Sequence, residues 1–281
     1  MSDQLPKIDL ITFGSPCQDF SIAGNRKGME GDRSSLILEA IRLITECRPR
    51  VFIWENVKGT FSSNSGQDFA AIIQEFTNIG GYRLEWQLLN TAWFLPQNRE
   101  RVYLVGYLDA PKRNWRGIFP ITGDNPQHRT MESSRKAIAK CLTARGQADL
   151  HSGLQLIKEP IKVKSANSRG YDEAYIGDSI NLTAINSTTR RGRVGEKKAQ
   201  TLDTKCEQAV IEVESERIRR LHPIETERLQ GFPDNHTQYG EYDGVVKLMS
   251  NSQRYKQCGN AVTVNVVQAI AERLKPIFKF K

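Results

Sequence analysis

The chain has 281 residues and a formal net charge of +8, and 38% of its residues are hydrophobic. This length suits one large domain or two modest ones, and this composition is that of a globular protein rather than a disordered chain. No apolar run approaches the ~18 residues of a membrane span, and the first residues lack a secretory signal, so the sequence predicts a cytoplasmic protein.

Strand-like and helix-like segments alternate along the first third of the chain. Short apolar runs predict buried strands, and apolar residues at helical spacing predict amphipathic helices. The predicted strands are Ile8–Phe13, Val51–Trp54, Leu84–Leu89 and Val102–Gly106, and the predicted helices lie around Leu36–Ile44 and Phe69–Ile79. This βαβ rhythm predicts a doubly wound α/β sheet.

The alternation is lost after Tyr107. Residues 111–215 are rich in small polar and basic residues and have weak periodicity, with short strand-like pieces such as Ala209–Val213. A helix resumes near the end, where Val264–Leu274 follows an N-cap candidate at Thr263. We therefore expect a separate, small and irregular domain between two parts of the α/β domain.

The positive charge is concentrated in the middle of the chain. Residues 1–111 carry 11 positive and 13 negative side chains (net −2), residues 112–220 carry 21 and 13 (net +8), and residues 221–281 carry 8 and 6 (net +2). A basic segment of this kind predicts a phosphate-binding surface, with a solvated loop-rich face as the alternative. The arginine cluster Arg190, Arg191 and Arg193 is the candidate for DNA binding.

Reactive side chains follow the ends of two predicted strands. Cys17 comes after the first strand in the block PCQ, and Glu55 ends the second in the block ENV. Ligands of open α/β sheets bind outside the carboxyl ends of the strands, where a thiolate can act as a nucleophile and a carboxyl group can hold or deliver a proton. For each residue alone, packing or surface capping is the alternative. The five cysteines form no C-x-x-C pair, so neither a disulfide framework nor a metal site is predicted.

Two arginines alternate in the block QNRERVYLVG. Arg99 and Arg101 have period-two spacing, which places both side chains on one face of a strand. Two guanidinium groups fixed in this way are suited to binding carbonyl or phosphate oxygens.

Five blocks in this order resemble the DNA cytosine-5 methyltransferase family. The blocks PCQ, ENV, QNRERVYLVG, RRLHPIETERLQGFP and GNAV are similar to motifs IV, VI, VIII, IX and X of that family. The resemblance implies a methyltransferase sheet of the Rossmann-like type that uses S-adenosylmethionine, with a small target-recognition domain for double-stranded DNA. The implied boundaries are 1–110 for the catalytic domain, 111–253 for the recognition domain, which includes RLQGFP, and 254–281 for the return to the catalytic domain.

The resemblance also implies roles for individual residues. Cys17 would attack C6 of an extruded cytosine, Glu55 would contact its N3 and N4 edge, Arg101 would bind O2 and Arg99 would support the same pocket. The methyl group would then pass from S-adenosylmethionine to C5. The positions that would line the cofactor are Pro16, Leu36, Asn260 and Ala261.

The glycine-rich strand–loop–helix that opens this family has no match before Ile8. At ~30 residues per βαβ unit, we expect three strands and roughly 60–75 residues to be missing. A truncated or mis-started bacterial or phage enzyme is slightly favoured over a split enzyme completed by a separate N-terminal polypeptide. A catalytically inactive DNA-binding remnant and a tRNA cytosine methyltransferase remain alternatives. The set of Cys17, Glu55 and Arg101 argues against the remnant, and the large basic segment argues against the tRNA enzyme.

Overall fold

The structure is a computed structural model that describes residues 7–15, 35–109, 115–122, 160–183, 187, 189–211 and 218–278. The described chain divides into two compact units. Unit 1 contains residues 1–90, 100–121 and 269–281, and unit 2 contains residues 91–99 and 122–268. No helix in these described ranges has both the length and the apolar character needed to cross a bilayer.

A four-stranded sheet forms the centre of unit 1. Its strands are β1 (Leu10–Gly14), β2 (Val51–Val57), β3 (Arg83–Asn90) and β5 (Glu100–Tyr107), arranged in the order β1-β2-β5-β3. β1 is parallel to β2, whereas β5 is antiparallel to both of its neighbours. The predicted α/β sheet is therefore confirmed, with one reversed strand inserted between two that share a direction.

Helices α1 (Ser35–Cys47) and α2 (Gln67–Asn78) connect the first three strands. The buried side chains of these helices pack with those of β2 and β5 into one apolar core. The fully buried members of that core include Ile37, Ile44, Phe52, Trp54, Ile72 and Phe76. The apolar periodicity that predicted the two helices therefore also identified the helix faces that are buried in the core.

The loop of residues 118–121 is hydrogen-bonded to side chains of β3. The Gln87 side chain donates to the carbonyl oxygen of Ile121 at 2.9 Å and accepts from its amide at 2.8 Å. The Glu85 carboxylate accepts from the amides of Ile118 and Phe119, each at 3.0 Å. These side-chain bonds hold residues 118–121 beside β3, which is an end strand of the sheet in the described residues.

In the residues that the structure describes, unit 2 contains short strands and three α-helices. The strands are β4 (Gln97–Asn98), β6 (Ile161–Lys164), β7 (Tyr171–Ala174), β8 (Ser179–Asn181), β9 (Val194–Gly195), β10 (Ala199–Gln200), β11 (Gln208–Ile211), β12 (Ile218–Arg220), β13 (Tyr239–Tyr242) and β14 (Val245–Leu248). The helices are α3 (Pro223–Leu229), α4 (Asn251–Asn260) and α5 (Val264–Leu274), of which α5 runs on into unit 1. Strands β12, β11, β8 and β9 form a small sheet in that order.

Unit 2 includes residues 91–99 and 254–268. Buried polar contacts hold both segments in this unit: Gln97 donates to the carbonyl oxygen of Leu229, and Thr91 bonds to Thr263. The domain boundaries predicted from the sequence remain predictions.

Candidate functional site

An acid and a guanidinium group meet at the carboxyl end of β2. Glu55 lies opposite Tyr103 in the register of β2 and β5. Arg101 lies two residues from Tyr103 along β5, on the same face of the sheet as Glu55. The Nε atom of Arg101 is 3.1 Å from Oε1 of Glu55. The two side chains are 17% and 20% exposed, so both remain accessible to a ligand. The pair can offer a proton-exchanging carboxyl group and a cationic donor to one heteroaromatic ring.

The chain enters the PCQ block directly beside this acid. Gly14 pairs with Glu55 in the β1–β2 register, and a Cβ atom on Gly14 would be only 3.2 Å from Oε2 of Glu55. The hydroxyl oxygen of Ser15 accepts from Nε1 of Trp54 at 3.1 Å and from Nδ2 of Asn56 at 2.8 Å. The two residues before Pro16 are thus fixed against β2.

Three of the predicted site positions lie wholly or partly outside the described residues. Pro16 and Cys17 lie outside the described residues. Leu36 lies in α1, but its side chain is outside the described part of the chain. The roles predicted for them therefore remain predictions.

Asn260 and Ala261 lie where α4 ends. Asn260 is the last residue of α4 and is exposed, whereas Ala261 caps the helix in an extended conformation and is half-buried. The neighbouring Val262 is 39% exposed. The turn therefore exposes a carboxamide beside an apolar side chain.

Arg99 and Arg101 have different surroundings. β4 ends at Asn98 and β5 begins at Glu100, so the two arginines do not lie on one continuous strand face as the spacing predicted. The Arg99 side chain is buried and donates to the carbonyl oxygens of Leu202, Gly259 and Ala261. Arg99 therefore contacts the backbone of the GNAV block, whereas Arg101 contacts Glu55.

The three arginines of the predicted DNA-binding cluster differ in exposure. Arg191 is exposed, and its Nε donates to the carbonyl oxygen of Ala166 at 3.0 Å. Arg190 is half-buried, and its carbonyl oxygen accepts from the Ala166 amide. Arg193 is fully buried within unit 2, and one of its guanidinium nitrogens is 3.5 Å from the carbonyl oxygen of Ser187. Because a phosphate group would have to reach the inside of the unit, the position of Arg193 does not suit the predicted contact.

The RRLHPIETERLQGFP block contains a buried acid that the sequence pattern does not single out. Glu227 accepts from the amides of Asn235 and Thr237 and from the guanidinium group of Arg254 at 2.9 Å. Burial alone would raise the pKa of this carboxyl group, but the bonds from Thr237 and Arg254 outweigh burial and lower the pKa. The fixed negative charge holds the turn after α3 against α4.

Gln230 lies in the same block, and the sequence pattern predicts no role for it. Its side chain is fully buried and bonds to both sides of the GNAV turn. The following Gly231 has a φ of +79°, and a Cβ atom there would meet Oδ1 of Asn265 at 2.4 Å. The sequence signal that could have identified this buried residue is a carboxamide directly before a glycine, because glycine permits such close packing.

The model of the C-5 cytosine-specific DNA methylase family matches residues 1–276. Among curated proteins, the orphan methyltransferase M.SPBetaI of Bacillus phage SPbeta is 27% identical, with 97% of this chain and 84% of that protein covered. The type II methyltransferase M.HpaII of Haemophilus parainfluenzae is 29% identical, with 95% and 72% covered. Neither match gives support to the predicted alternative of a separate N-terminal polypeptide.

Solved structures give the same fold. The Entamoeba histolytica methyltransferase EhMeth aligns with a TM-score of 0.56 at 16% identity, covering 97% of this chain and 78% of that one. The S. pombe Dnmt2 methyltransferase aligns with a TM-score of 0.53 at 19% identity, covering 96% and 79%. The predicted methyltransferase-type α/β fold and the predicted family are both confirmed.

Proposed function

Because this chain belongs to the C-5 cytosine-specific DNA methylase family, we propose that it methylates C5 of a cytosine that has been extruded from duplex DNA. The observation that carries the proposal is the Glu55–Arg101 pair, which lies beside the two residues that lead into the PCQ block. The pair provides the acid and the cationic group that this chemistry needs, and Cys17 of the PCQ block supplies the thiol.

In this mechanism Cys17 is the nucleophile. Its thiolate adds to C6 of the cytosine, and a proton handled by Glu55 passes to N3, so that C5 becomes an enamine carbon. Arg101 donates to O2 and stabilises the charge that develops on the ring. After C5 has gained the methyl group, its proton leaves to a base, N3 returns its proton and the C6–S bond breaks. These last steps restore the C5=C6 bond and the free thiolate.

S-adenosylmethionine would supply an electrophilic methyl group when bound. We assign Asn260 and Ala261 to its binding because the turn exposes a carboxamide next to the apolar side chain of Val262. Pro16 and Leu36 complete the proposed set by resemblance. For the DNA phosphates we retain Arg190 and Arg191, which reach the surface, and leave out the buried Arg193.

Covalent trapping on duplex DNA that contains 5-fluorocytosine tests the proposal. The fluorine cannot leave as the C5 proton does, so the C6–S adduct persists and is visible on a denaturing gel. We expect the wild-type chain to be trapped in the presence of S-adenosylmethionine and Cys17→Ala not to be trapped. Cys47→Ala, in a half-buried residue of α1, is the matched control and should be trapped normally.

Glu55→Gln tests the acid separately. Loss of a general acid typically slows a reaction by about 10²–10⁴-fold, so the rate of adduct formation should fall by about that factor while DNA binding is retained. Trapping that persists in Cys17→Ala would disprove the assignment of the nucleophile. A wild-type chain that binds duplex DNA tightly but neither forms the adduct nor transfers a labelled methyl group would favour the non-catalytic DNA-binding alternative.

A further inference from the structure

We propose that Gln230 and Arg99 are positioning residues that hold the exposed turn Asn260–Val262 in the conformation that binds the cofactor. The inference rests on the cofactor role proposed above for Asn260 and Ala261. Gln230 and Arg99 are both buried, and they bond to backbone carbonyl groups in and beside the turn or to the Thr263 side chain that anchors it.

The Gln230 carboxamide bridges the two ends of the turn. Its Nε2 donates to the carbonyl oxygen of Cys258 at 2.8 Å, on the α4 side, and its Oε1 accepts from the hydroxyl of Thr263 at 3.0 Å, on the α5 side. The Gln230 carbonyl oxygen also accepts from the amide of Val264 at 2.9 Å. One buried residue therefore fixes the separation between the end of one helix and the start of the next.

Thr263 links this bridge to a third part of the chain. Its hydroxyl oxygen is 2.7 Å from that of Thr91, and both side chains are almost fully buried. A hydroxyl group can donate one hydrogen bond and accept others, so Thr263 can bond to Gln230 and Thr91 together. Loss of this one hydroxyl would leave polar atoms unsatisfied on two partners.

Arg99 forms the second anchor. The last carbonyl groups of an α-helix lack intrahelical donors, and a cation near them is favourable. Nη2 of Arg99 donates to the carbonyl oxygens of Gly259 at 3.2 Å and Ala261 at 2.8 Å. At Gly259 a Cβ atom would be only 2.5 Å from the carbonyl oxygen of Asp203, so the end of α4 is also packed closely from that side.

These contacts produce a turn with buried anchors and an exposed tip. Cys258 and Thr263 are buried, whereas Asn260 and Val262 face solvent. An exposed turn without anchors would open readily and would have to be ordered when a ligand binds. Anchoring removes that ordering cost before binding, which strengthens affinity without a new ligand contact. The expected consequence is an effect on cofactor affinity rather than on the chemical step.

The first test is amide hydrogen exchange on the full chain without cofactor. Thr263→Val keeps the side-chain shape but removes the hydroxyl, and Thr263→Ser keeps the hydroxyl. Since an unsatisfied buried partner weakens local structure, exchange at Ala261 and Val264 should become about tenfold faster with valine. It should stay within about twofold of wild type with serine. Arg99→Met should accelerate exchange at Ala261 in the same way.

The second test separates positioning from general stability. Thr263→Val should raise the KM for S-adenosylmethionine about tenfold and leave kcat within about twofold, because uniform binding is lost. Ile180→Val, in the buried strand β8, is a stability control that should lower the melting temperature without changing this KM. Asn260→Ala should weaken cofactor binding while leaving the exchange rates at Ala261 and Val264 unchanged.

Each result decides a different point. Wild-type exchange rates in Thr263→Val would overturn the anchoring of the turn. Faster exchange with an unchanged KM would overturn its link to the cofactor. A wild-type chain that binds no cofactor, but whose turn loosens in Thr263→Val and not in Thr263→Ser, would refute the cofactor role of the turn and leave the anchoring intact.

Discussion

Two ion pairs in the RLQGFP region carry the same charges but differ in burial. The Arg254–Glu227 pair is buried, with side chains 8% and 0% exposed, and the Arg228–Asp234 pair is at the surface, with side chains 24% and 46% exposed. Removal of one partner from a buried pair leaves an uncompensated charge and costs about 3–5 kcal/mol. Exposed pairs contribute at most about 1 kcal/mol. Arg254→Met and Arg228→Met should therefore differ several-fold in their effect on stability.

Urea denaturation followed by circular dichroism measures the difference. At an m value of about 3 kcal/mol/M, Arg254→Met should lower the unfolding midpoint by about 1–1.7 M and Arg228→Met by about 0.3 M or less. Arg254→Lys should fall between them, because it keeps the charge beside Glu227 but cannot reproduce the additional bond to Thr237. Equal shifts for the two methionine variants would refute the argument from burial.

The pH dependence gives an independent check on the same pair. The pKa of Glu227 is lowered in the folded protein, so the stability it contributes is present above its ordinary pKa and is lost as the pH falls through the folded value. Without Arg254, only the hydrogen bonds from Thr237 oppose the effect of burial, so the pKa of Glu227 should be higher than in the wild type and the loss should begin at a higher pH. A wild-type acid transition that is unchanged in Arg254→Met would contradict the assigned cause of the shift.

Three further predictions follow from single contacts. Gly14→Ala places a Cβ atom 3.2 Å from Oε2 of Glu55, so it should displace the carboxylate and lower kcat for methyl transfer about tenfold, with DNA affinity unchanged. Burial raises the pKa of Cys206 to about 12, so a thiol reagent at pH 8 should leave it unmodified in the folded protein and modify it in urea. Arg191→Ala should weaken binding to duplex DNA and reduce the slope of log affinity against log salt by about 1, which titration at several salt concentrations measures.

The sequence predicted the elements of unit 1 better than their arrangement. The predicted strand Ile8–Phe13 is displaced by one or two residues from the observed Leu10–Gly14, and the helix predicted around Phe69–Ile79 is observed as Gln67–Asn78. The position of β5 between β2 and β3 was not predicted. Apolar periodicity reports which residues are buried, whereas strand order and direction depend on long-range pairing, for which the sequence has no local signal.

The arginines show the same limit at the level of single side chains. Arg99 and Arg101 are two residues apart in one block, and Arg190, Arg191 and Arg193 form one cluster, so no sequence pattern distinguishes the members of either group. In the structure Arg99 and Arg193 are buried. A guanidinium group is almost never fully buried without partners, and its partners here include backbone carbonyl groups, which every residue has and no sequence motif identifies.

The motif blocks therefore contain two kinds of residue with different consequences on substitution. Glu55 and Arg101 meet at a solvent-accessible strand end, where a change would alter chemistry in the proposed mechanism. Gln97, Arg99 and Gln230 are buried donors to backbone carbonyl groups, where a change alters the shape of a turn. Because each buried donor connects two blocks that are distant in sequence, the blocks must occur together for any one of them to keep its geometry. That dependence is a physical reason why the ordered set, rather than any single motif, identified the family.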